Sequence, residues 1–284
     1  MKRLITLALV ASAGFAVALD ALADGRHSND DHIQADASCC QAGTQARTSY
    51  LELAVPPRQD AVTGKVTGKI VFDGEEKDRP KLDPVEITAK QAEGCVPEGE
   101  SVDDTNWSIV IDAQGGIKNA VITIDVEDAE NKLPEDPIAL DQIQCRYEPH
   151  VILIPAGAPV AYHNSDKVSH NVHTYAVRNT PFNRTIGAGG KDSQTLEKVE
   201  AIEVKCDIHP WMNCWLFVTD TPYAAVSAAD GSFTIPGVPP GTYEAKVWHE
   251  RLGKAKADVT VAADGSCEAI VVKLKEKAKR GGRR

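Results

Sequence analysis

Residues 206–215 read Cys-Asp-Ile-His-Pro-Trp-Met-Asn-Cys-Trp, and this stretch organises the predicted fold. A run of alternating apolar residues precedes it, and a second run over residues 215–218 follows it. Alternation of this kind is typical of half-buried strands, so we predict a tight turn between two strands. Cys206, His209 and Met212 recur at every third position within the turn. A tight turn can direct all three side chains to one point in space.

A thiolate, an imidazole and a weak thioether are three of the four ligands of a blue-copper electron-transfer site. The missing ligand is a second imidazole, which the segment Ser-His-Asn-Val-His at 169–173 can supply. Met212 strengthens this interpretation, because the sequence contains two methionines and the other is the initiator. Methionine usually fills gaps in hydrophobic cores. A single methionine at this position of the turn favours a role as axial metal ligand.

The choice of ligands has alternatives. His170 and His173 are three residues apart, so a strand directs only one of them inward. A Cys-x-x-His pair alone could be half of a zinc site, which would recruit Cys214 or His173 and leave Met212 without a role. Residues 145–150, Cys-Arg-Tyr-Glu-Pro-His, are a second candidate point of metal binding.

The N terminus has the pattern of a secretory signal peptide over residues 1–23. Lys2 and Arg3 precede an apolar stretch, and Ala-Leu-Ala stands before the expected cleavage site. An uncleaved membrane anchor is the alternative, but the apolar stretch is short and interrupted for a membrane span. We therefore predict a periplasmic or otherwise exported protein with no transmembrane segment after cleavage. Residues 24–60 have few large apolar side chains and predict a flexible leader.

The charge distribution argues against nucleic acid as a partner. The chain carries a formal net charge of -10, and a basic tail occupies residues 275–284. The acidic body repels phosphate, and the tail is short. We interpret the tail either as a solubilising end or as an electrostatic contact for an acidic partner or an anionic surface.

The chain has seven cysteines, six of them besides Cys206. An oxidising compartment favours disulfide bonds among them. Our preferred pair is Cys95 with Cys145, although sequence alone leaves the connectivity open.

The residues between leader and tail consist of short strand-like runs separated by Gly, Pro and Asp turns, with little helical periodicity. This pattern predicts an all-β protein of the sandwich type. The runs divide into an outer set, over 61–136 and 222–274, and an inner set over 137–221. We predict that the inner set is a domain inserted between strands of the outer one, because exposed turns tolerate insertion. The alternative is one β domain between two unrelated flanking segments.

The two sets resemble different families. Residues 231–243, Gly-Ser-Phe-Thr-Ile-Pro-Gly-Val-Pro-Pro-Gly-Thr-Tyr, resemble a carboxypeptidase-regulatory-like β-sandwich module. Residues 169–173 and the Cys-Asp-Ile-His-Pro-Trp-Met turn resemble amicyanin and its plastocyanin-type relatives, the small cupredoxins. The second resemblance implies a Greek-key β-sandwich that holds one type 1 copper ion. Carried over by position, the ligands are His170, Cys206, His209 and Met212.

The cupredoxin resemblance implies further roles. Asn171 would connect the segment of the first histidine to the cysteine turn. Pro210 and Trp211 would form the apolar surface where redox partners dock, in encounters that are usually small and weak. The implied function is electron transfer between partners such as a soluble dehydrogenase and a cytochrome. The alternative is an exported β-sandwich binding or structural module with a copper-storage or zinc site.

Catalysis is not expected from the motifs of this chain. The sequence has no His-x-His pair of the kind that a trinuclear copper cluster requires. It also has no Cys-x-x-Cys-His haem motif, no Gly-x-Ser-x-Gly and no His-Glu-x-x-His.

Overall fold

The structure is a computed structural model, and it describes residues 62–80 and 82–276. The predicted signal peptide, the predicted leader and most of the basic tail lie outside the described residues. The described chain forms sixteen β-strands and one short 3₁₀ helix, Glu76–Asp78, and it has no α-helix. The prediction of an all-β protein is confirmed. A search of these residues for a helix long and apolar enough to cross a membrane finds none.

The strands form four sheets, which fall into two groups. The strands are β1 (Gly64–Phe72), β2 (Val121–Ile124), β3 (Ile138–Ile143), β4 (Arg146–Glu148), β5 (Val151–Pro155), β6 (Pro159–Asn164), β7 (His170–Thr174), β8 (Asn183–Ile186), β9 (Lys191–Thr195), β10 (Glu200–Lys205), β11 (Asn213–Thr219), β12 (Ala224–Val226), β13 (Ser232–Val238), β14 (Gly241–His249), β15 (Gly253–Val261) and β16 (Ile270–Leu274). Their sheet orders are β13-β1-β16, β12-β2-β14-β15, β4-β3-β6-β9 and β5-β11-β10-β7-β8.

The outer group contains β1, β2 and β12–β16, which share sheets only with one another among the described strands. Its two sheets enclose one hydrophobic core. Strand β14 shows how the sequence produces this packing, because Ala245 and Val247 are buried while Lys246 between them is exposed. Side chains of a strand alternate between its two faces, so one face of β14 covers the core and the other meets solvent.

The inner group contains β3–β11 and is a second sandwich. Sheets β4-β3-β6-β9 and β5-β11-β10-β7-β8 share a core that includes Tyr162, Ile202 and Leu216. Two of its strand pairs, β3 with β6 and β5 with β11, are parallel. Segments that are distant in sequence therefore lie side by side, with their inward-facing residues in one core.

Residues 85–105, here named the cover segment, pack against the inner core. Cys95 is buried there and forms a disulfide with Cys145, immediately before β4. The predicted pairing of these two cysteines is confirmed. The guanidinium of Arg146 donates to backbone carbonyls at the end of the cover segment, that of Thr105 at 3.1 Å among them. The cover segment lies in the range predicted for the outer module, yet its apolar side chains join the inner core.

The two groups meet at an aromatic junction. The ring of Trp248 on β14 lies with its centroid 5.1 Å from that of Trp215 and 5.4 Å from that of Phe217, both on β11. Next to this cluster, the carboxylate of Glu250 accepts hydrogen bonds from Trp215 Nε1 at 3.0 Å and from His150 Nε2 at 2.5 Å. The junction thus joins the sandwiches by packing and by polar contacts. The predicted domain boundaries stay a prediction.

Candidate metal centre

The loop 206–212 connects β10 to β11 and closes on itself. The strands pair antiparallel up to Lys205 and Asn213. Beyond them, the N–H of Cys206 donates to the carbonyl of Met212 at 3.1 Å, and the N–H of Met212 donates to the carbonyl of His209 at 2.9 Å. The predicted tight turn between two strands is confirmed. Its hydrogen bonds fix the backbone from which three of the predicted ligands project.

Strand β7 brings the fourth predicted ligand to this loop. β7 pairs antiparallel with β10, and His173 lies opposite Lys205. His170 Nδ1 lies 3.0 Å from His209 Nδ1, which in turn lies 3.8 Å from Cys206 Sγ. The three ligand atoms all lie within 4.8 Å of one another. The side chains that bear them are 0–6% exposed, so a bound cation would be shielded from water.

The two candidate histidines, His170 and His173, differ in burial and in contacts. His170 points into the core, whereas the side chain of His173 is 29% exposed and pairs through Nδ1 with the Asp207 carboxylate at 3.1 Å. The ring of His173 also stacks on Tyr175, with 4.4 Å between the centroids. The alternation of faces along β7 therefore places one histidine inside and the other outside.

The surroundings of the Cys206 sulfur favour its thiolate form. Burial alone would raise the pKa of the Cys206 thiol, but the neighbouring imidazoles of His170 and His209 and two backbone N–H groups lower that pKa to about 6. The backbone donors are Asn171 at 3.3 Å and His209 at 3.4 Å. Burial lowers the pKa of His170, and Asp166 and the Cys206 sulfur more than offset this, so the net pKa is raised. A thiolate is the form of cysteine that binds metals.

Met212 and Trp211, at the end of the loop, are both buried. Met212 is fully buried in the same hydrophobic core as Cys206. Trp211 is only 5% exposed, and its indole Nε1 donates to the carbonyl of Cys145 at 3.0 Å. The expectation that Trp211 presents a surface for partners is therefore wrong, because the segment around Cys145 covers it. Of the predicted docking pair, only Pro210 is exposed.

Asn171 lies where β7 meets the loop. Its side-chain Oδ1 accepts a hydrogen bond from the N–H of Asp207 at 3.2 Å, and its Nδ2 donates to Oδ1 of Asn183 at 2.7 Å. The hydroxyl of Tyr147 donates to the Asn171 carbonyl. Asn171 thus connects the segment of the first histidine to the segment of the cysteine through both its backbone and its side chain.

Two neighbours of the site were not predicted from the sequence. Oδ2 of Asp166 accepts a hydrogen bond from His170 Nε2 at 2.7 Å. Nε2 of His209 lies 4.0 Å from each sulfur of the Cys95–Cys145 disulfide. For the second contact, the sequence offered one signal, which was the predicted pairing of Cys95 with Cys145. Asp166 lies in an Asn-Ser-Asp-Lys run that is typical of a turn, and nothing in that run indicates a histidine partner.

The second candidate point of metal binding, at residues 145–150, does not assemble around His150. The sulfur of Cys145 is bonded to Cys95, and the imidazole of His150 pairs with Glu250 at the junction. His150 belongs to none of the potential metal-binding groups found among the described residues. The turn between β10 and β11 is therefore the site with the better donor set.

Comparisons with known proteins give partial matches. A family model of polysaccharide lyase family 4, domain II, matches residues 211–269. This family differs from the carboxypeptidase-regulatory-like module that the sequence resembles, and its match begins inside the loop 206–212. No curated protein matches the chain.

Similar solved structures include copper proteins. A copper-containing nitrite reductase from Thermus scotoductus SA-01 is 23% identical over 34% of this chain, with a TM-score of 0.29. The match spans 25% of the reductase. A purple cupredoxin from Nitrosopumilus maritimus is 22% identical over 29% of this chain and 99% of its own, with a TM-score of 0.26.

A Cu(I) mutant of amicyanin is 21% identical over 34% of this chain and 98% of its own length, with a TM-score of 0.28. At these TM-scores the likeness carries no argument. The interpretation of the site therefore depends on its own geometry: a buried group of two imidazoles and a low-pKa thiol, with a thioether in the same core, which suggests metal binding.

Proposed function

We propose that the chain binds one type 1 copper ion through His170, Cys206, His209 and Met212 and carries single electrons between redox partners. The observation that carries this proposal is the convergence of two imidazole Nδ1 atoms and one thiol of lowered pKa within 4.8 Å, in a buried site. Two ring nitrogens only 3.0 Å apart can share at most one proton, whereas a cation can be bound by both.

The donor set fits copper better than zinc. Thiolate and thioether suit Cu(I), imidazole suits Cu(II), and a His₂Cys set with a weak axial methionine is the ligand set of blue-copper sites. A four-ligand zinc site would need Cys214 or His173 in addition. His173 points outward to Asp207, and neither residue belongs to a potential metal-binding group in the described part of the chain. Cys214 is buried without a charged partner, and burial raises its pKa well above the usual value.

The protein's own contribution is a rigid set of donors. When bound, copper supplies the one-electron chemistry. The donors lie on or beside β7, β10 and β11, which are neighbours in one sheet, and the hydrogen bonds within the loop fix their spacing. Two backbone N–H groups keep the Cys206 sulfur anionic. The buried Met212 and Trp211 keep water away from the site.

We further propose that the protein works in the periplasm or another exported location, with redox proteins such as a dehydrogenase and a cytochrome as partners. The signal-peptide pattern and the disulfide support this location, since disulfides persist in oxidising compartments. Pro210 and its neighbour Ile208, which is 48% exposed, are the apolar side chains of the loop that a partner can touch.

The test is the visible spectrum of the purified protein after addition of copper(II). We expect one bound copper ion and strong absorption from thiolate-to-copper charge transfer, both lost in Cys206→Ser. Cys214→Ser is the matched control, because it removes another buried thiol of the same strand pair and should keep the colour. A colourless protein that takes up zinc in preference to copper would contradict the proposal and favour the binding or structural module.

A further inference from the structure

We propose that Asp166 is a positioning residue that fixes the His170 imidazole for metal binding and connects it, through the backbone of Cys145, to the disulfide that packs against His209. This inference deepens the proposed function and rests on it for its metal-bound readouts. Asp166 lies on the side of His170 that faces away from the Cys206 sulfur.

The Asp166 carboxylate is held by three donors. Oδ2 accepts from His170 Nε2 at 2.7 Å and from the N–H of Cys145 at 2.8 Å, while Oδ1 accepts from the N–H of Gln144 at 2.6 Å. The Asp166 side chain is only 7% exposed, so water cannot substitute for these donors. The carboxylate is therefore fixed in place before any metal arrives.

The two backbone donors lie in the two-residue turn of the β3–β4 hairpin, in which Ile143 pairs with Arg146. Gln144 and Cys145 both have positive φ angles, 53° and 54°. Positive φ at both central residues is the geometry of the type I′ turn, which two-residue hairpins favour. Two successive N–H groups that point at one anion also form a small anion-binding concavity. The hairpin turn thus directs both of its N–H groups at the Asp166 carboxylate.

The carboxylate determines which nitrogen of His170 is available. An ionised carboxylate only accepts hydrogen bonds. The proton of the neutral imidazole therefore lies on Nε2, and the lone pair of Nδ1 faces His209 Nδ1 and the Cys206 sulfur. A carboxylate behind a ligating histidine fixes the ring and raises its basicity as a metal ligand.

Cys145 links this arrangement to the second imidazole. Its N–H binds Asp166, its carbonyl accepts from the indole of Trp211, and its sulfur lies 4.0 Å from His209 Nε2. Cys95, the disulfide partner, lies at the same distance from that nitrogen. Both imidazoles are thus supported on their outer edges by contacts that pass through one residue.

The first test needs no metal. In nitrogen-15 NMR spectra of the metal-free protein above the pH at which His170 is protonated, we expect His170 as the single Nε2–H tautomer. Asp166→Asn should yield a mixture of tautomers, because an amide can donate as well as accept. Asp141→Asn is the matched control: its carboxylate also contacts the 164–167 turn, through Ser165, and touches no histidine.

The second test uses the copper-loaded protein. Asp166→Asn should weaken copper binding about 10–100-fold. It should also raise the reduction potential, because loss of a nearby negative charge disfavours the more highly charged ion, while Asp141→Asn leaves both nearly unchanged. A role confined to folding would lower stability without moving the tautomer or the potential. Asp166→Glu, which keeps the charge, should restore the potential more than the affinity.

The outcomes separate the two proposals. A wild-type protein that binds no copper would end the proposed function, and the tautomer measurement would still decide the role of Asp166. A single Nε2–H tautomer in Asp166→Asn, or a potential equal to that of Asp141→Asn, would overturn the role of Asp166. If Asp166→Asn does not fold, the wild-type spectrum decides: a mixture of His170 tautomers, or a proton on Nδ1, overturns the role.

Discussion

The backbone N–H of Asn171 donates a hydrogen bond to the Cys206 sulfur at 3.3 Å. This contact joins two segments that are 35 residues apart in sequence. This N–H group stabilises the Cys206 thiolate without adding a charge. It also connects the sulfur to strand β7, whereas the rest of Cys206 belongs to the loop. Several measurable properties of the site depend on this connection.

Asn171→Ala should destabilise the fold and disturb the thiolate. The substitution removes the side-chain hydrogen bonds to Asp207 and Asn183, and because both of these residues are exposed, water can replace part of what is lost. We expect a loss of about 0.5–1.5 kcal/mol in the free energy of unfolding, measured by urea denaturation. Asn183→Ala, which removes the contact with Asn171 and a 3.5 Å side-chain contact with Asp207 but keeps the bond from the Asp207 N–H to Asn171, is the control and should cost less. Equal losses in the two variants would show that the bond to Asp207 contributes nothing.

The thiolate of Cys206 should titrate in the metal-free protein with a midpoint near pH 6, seen as ultraviolet thiolate absorbance. The lowered pKa makes the thiolate a source of stability that is complete above pH 9, the range of an ordinary thiol, and has gone once the pH falls to about 6. Copper affinity should fall below the same midpoint because protons compete for the sulfur. Cys206→Ser should lack the titration, and an unchanged absorbance curve in that variant would refute the assignment.

Met212→Leu should keep the visible colour and shift the reduction potential of the copper-loaded protein. The two side chains have similar volumes, so the free energy of unfolding should change by less than about 1.5 kcal/mol. Cyclic voltammetry of wild type and variant measures the shift. A potential identical to that of the wild type would mean that the thioether is not an axial ligand.

Removal of the disulfide should loosen the cover segment. Cys95→Ser with Cys145→Ser should cost about 2–5 kcal/mol in the free energy of unfolding. It should also speed hydrogen exchange in residues 85–105 and expose His209 Nε2. Cys267→Ser is the control, since that thiol is free and only partly buried, and it should change stability by less than about 0.5 kcal/mol. Equal exchange rates in the cover segment of wild type and double variant would argue against this role of the disulfide.

Local patterns carried most of what could be predicted. The strand, turn and strand around Cys206 follow from alternation, and the ligand spacing follows from the turn. The choice between His170 and His173 needed only the knowledge of which face of β7 is buried. Copper, export and the redox partners stay predictions until the experiments above are done.

The errors arose where distant segments meet. Trp211 reads as a surface residue in its own sequence context, and its burial depends on Cys145, which is 66 positions away. Asp166 has the sequence context of an ordinary turn residue, and its role emerges only because Gln144 and Cys145 present two N–H groups to it. The cover segment contains Cys95 and little regular structure, so its packing on the inner core could not be inferred from periodicity.

Strand β11 begins at Asn213, directly after the loop 206–212, and reaches Trp215 two residues later. There the indole contacts Trp248 and Glu250 of the outer group. A stretch of paired strand, with no flexible hinge, thus separates the donor cluster from the second sandwich. The loop is thus connected to the outer sandwich through one continuous strand and the contacts of Trp215. A molecule that binds the outer sandwich at Trp248 would therefore lie next to the strand that leads directly to the donor cluster.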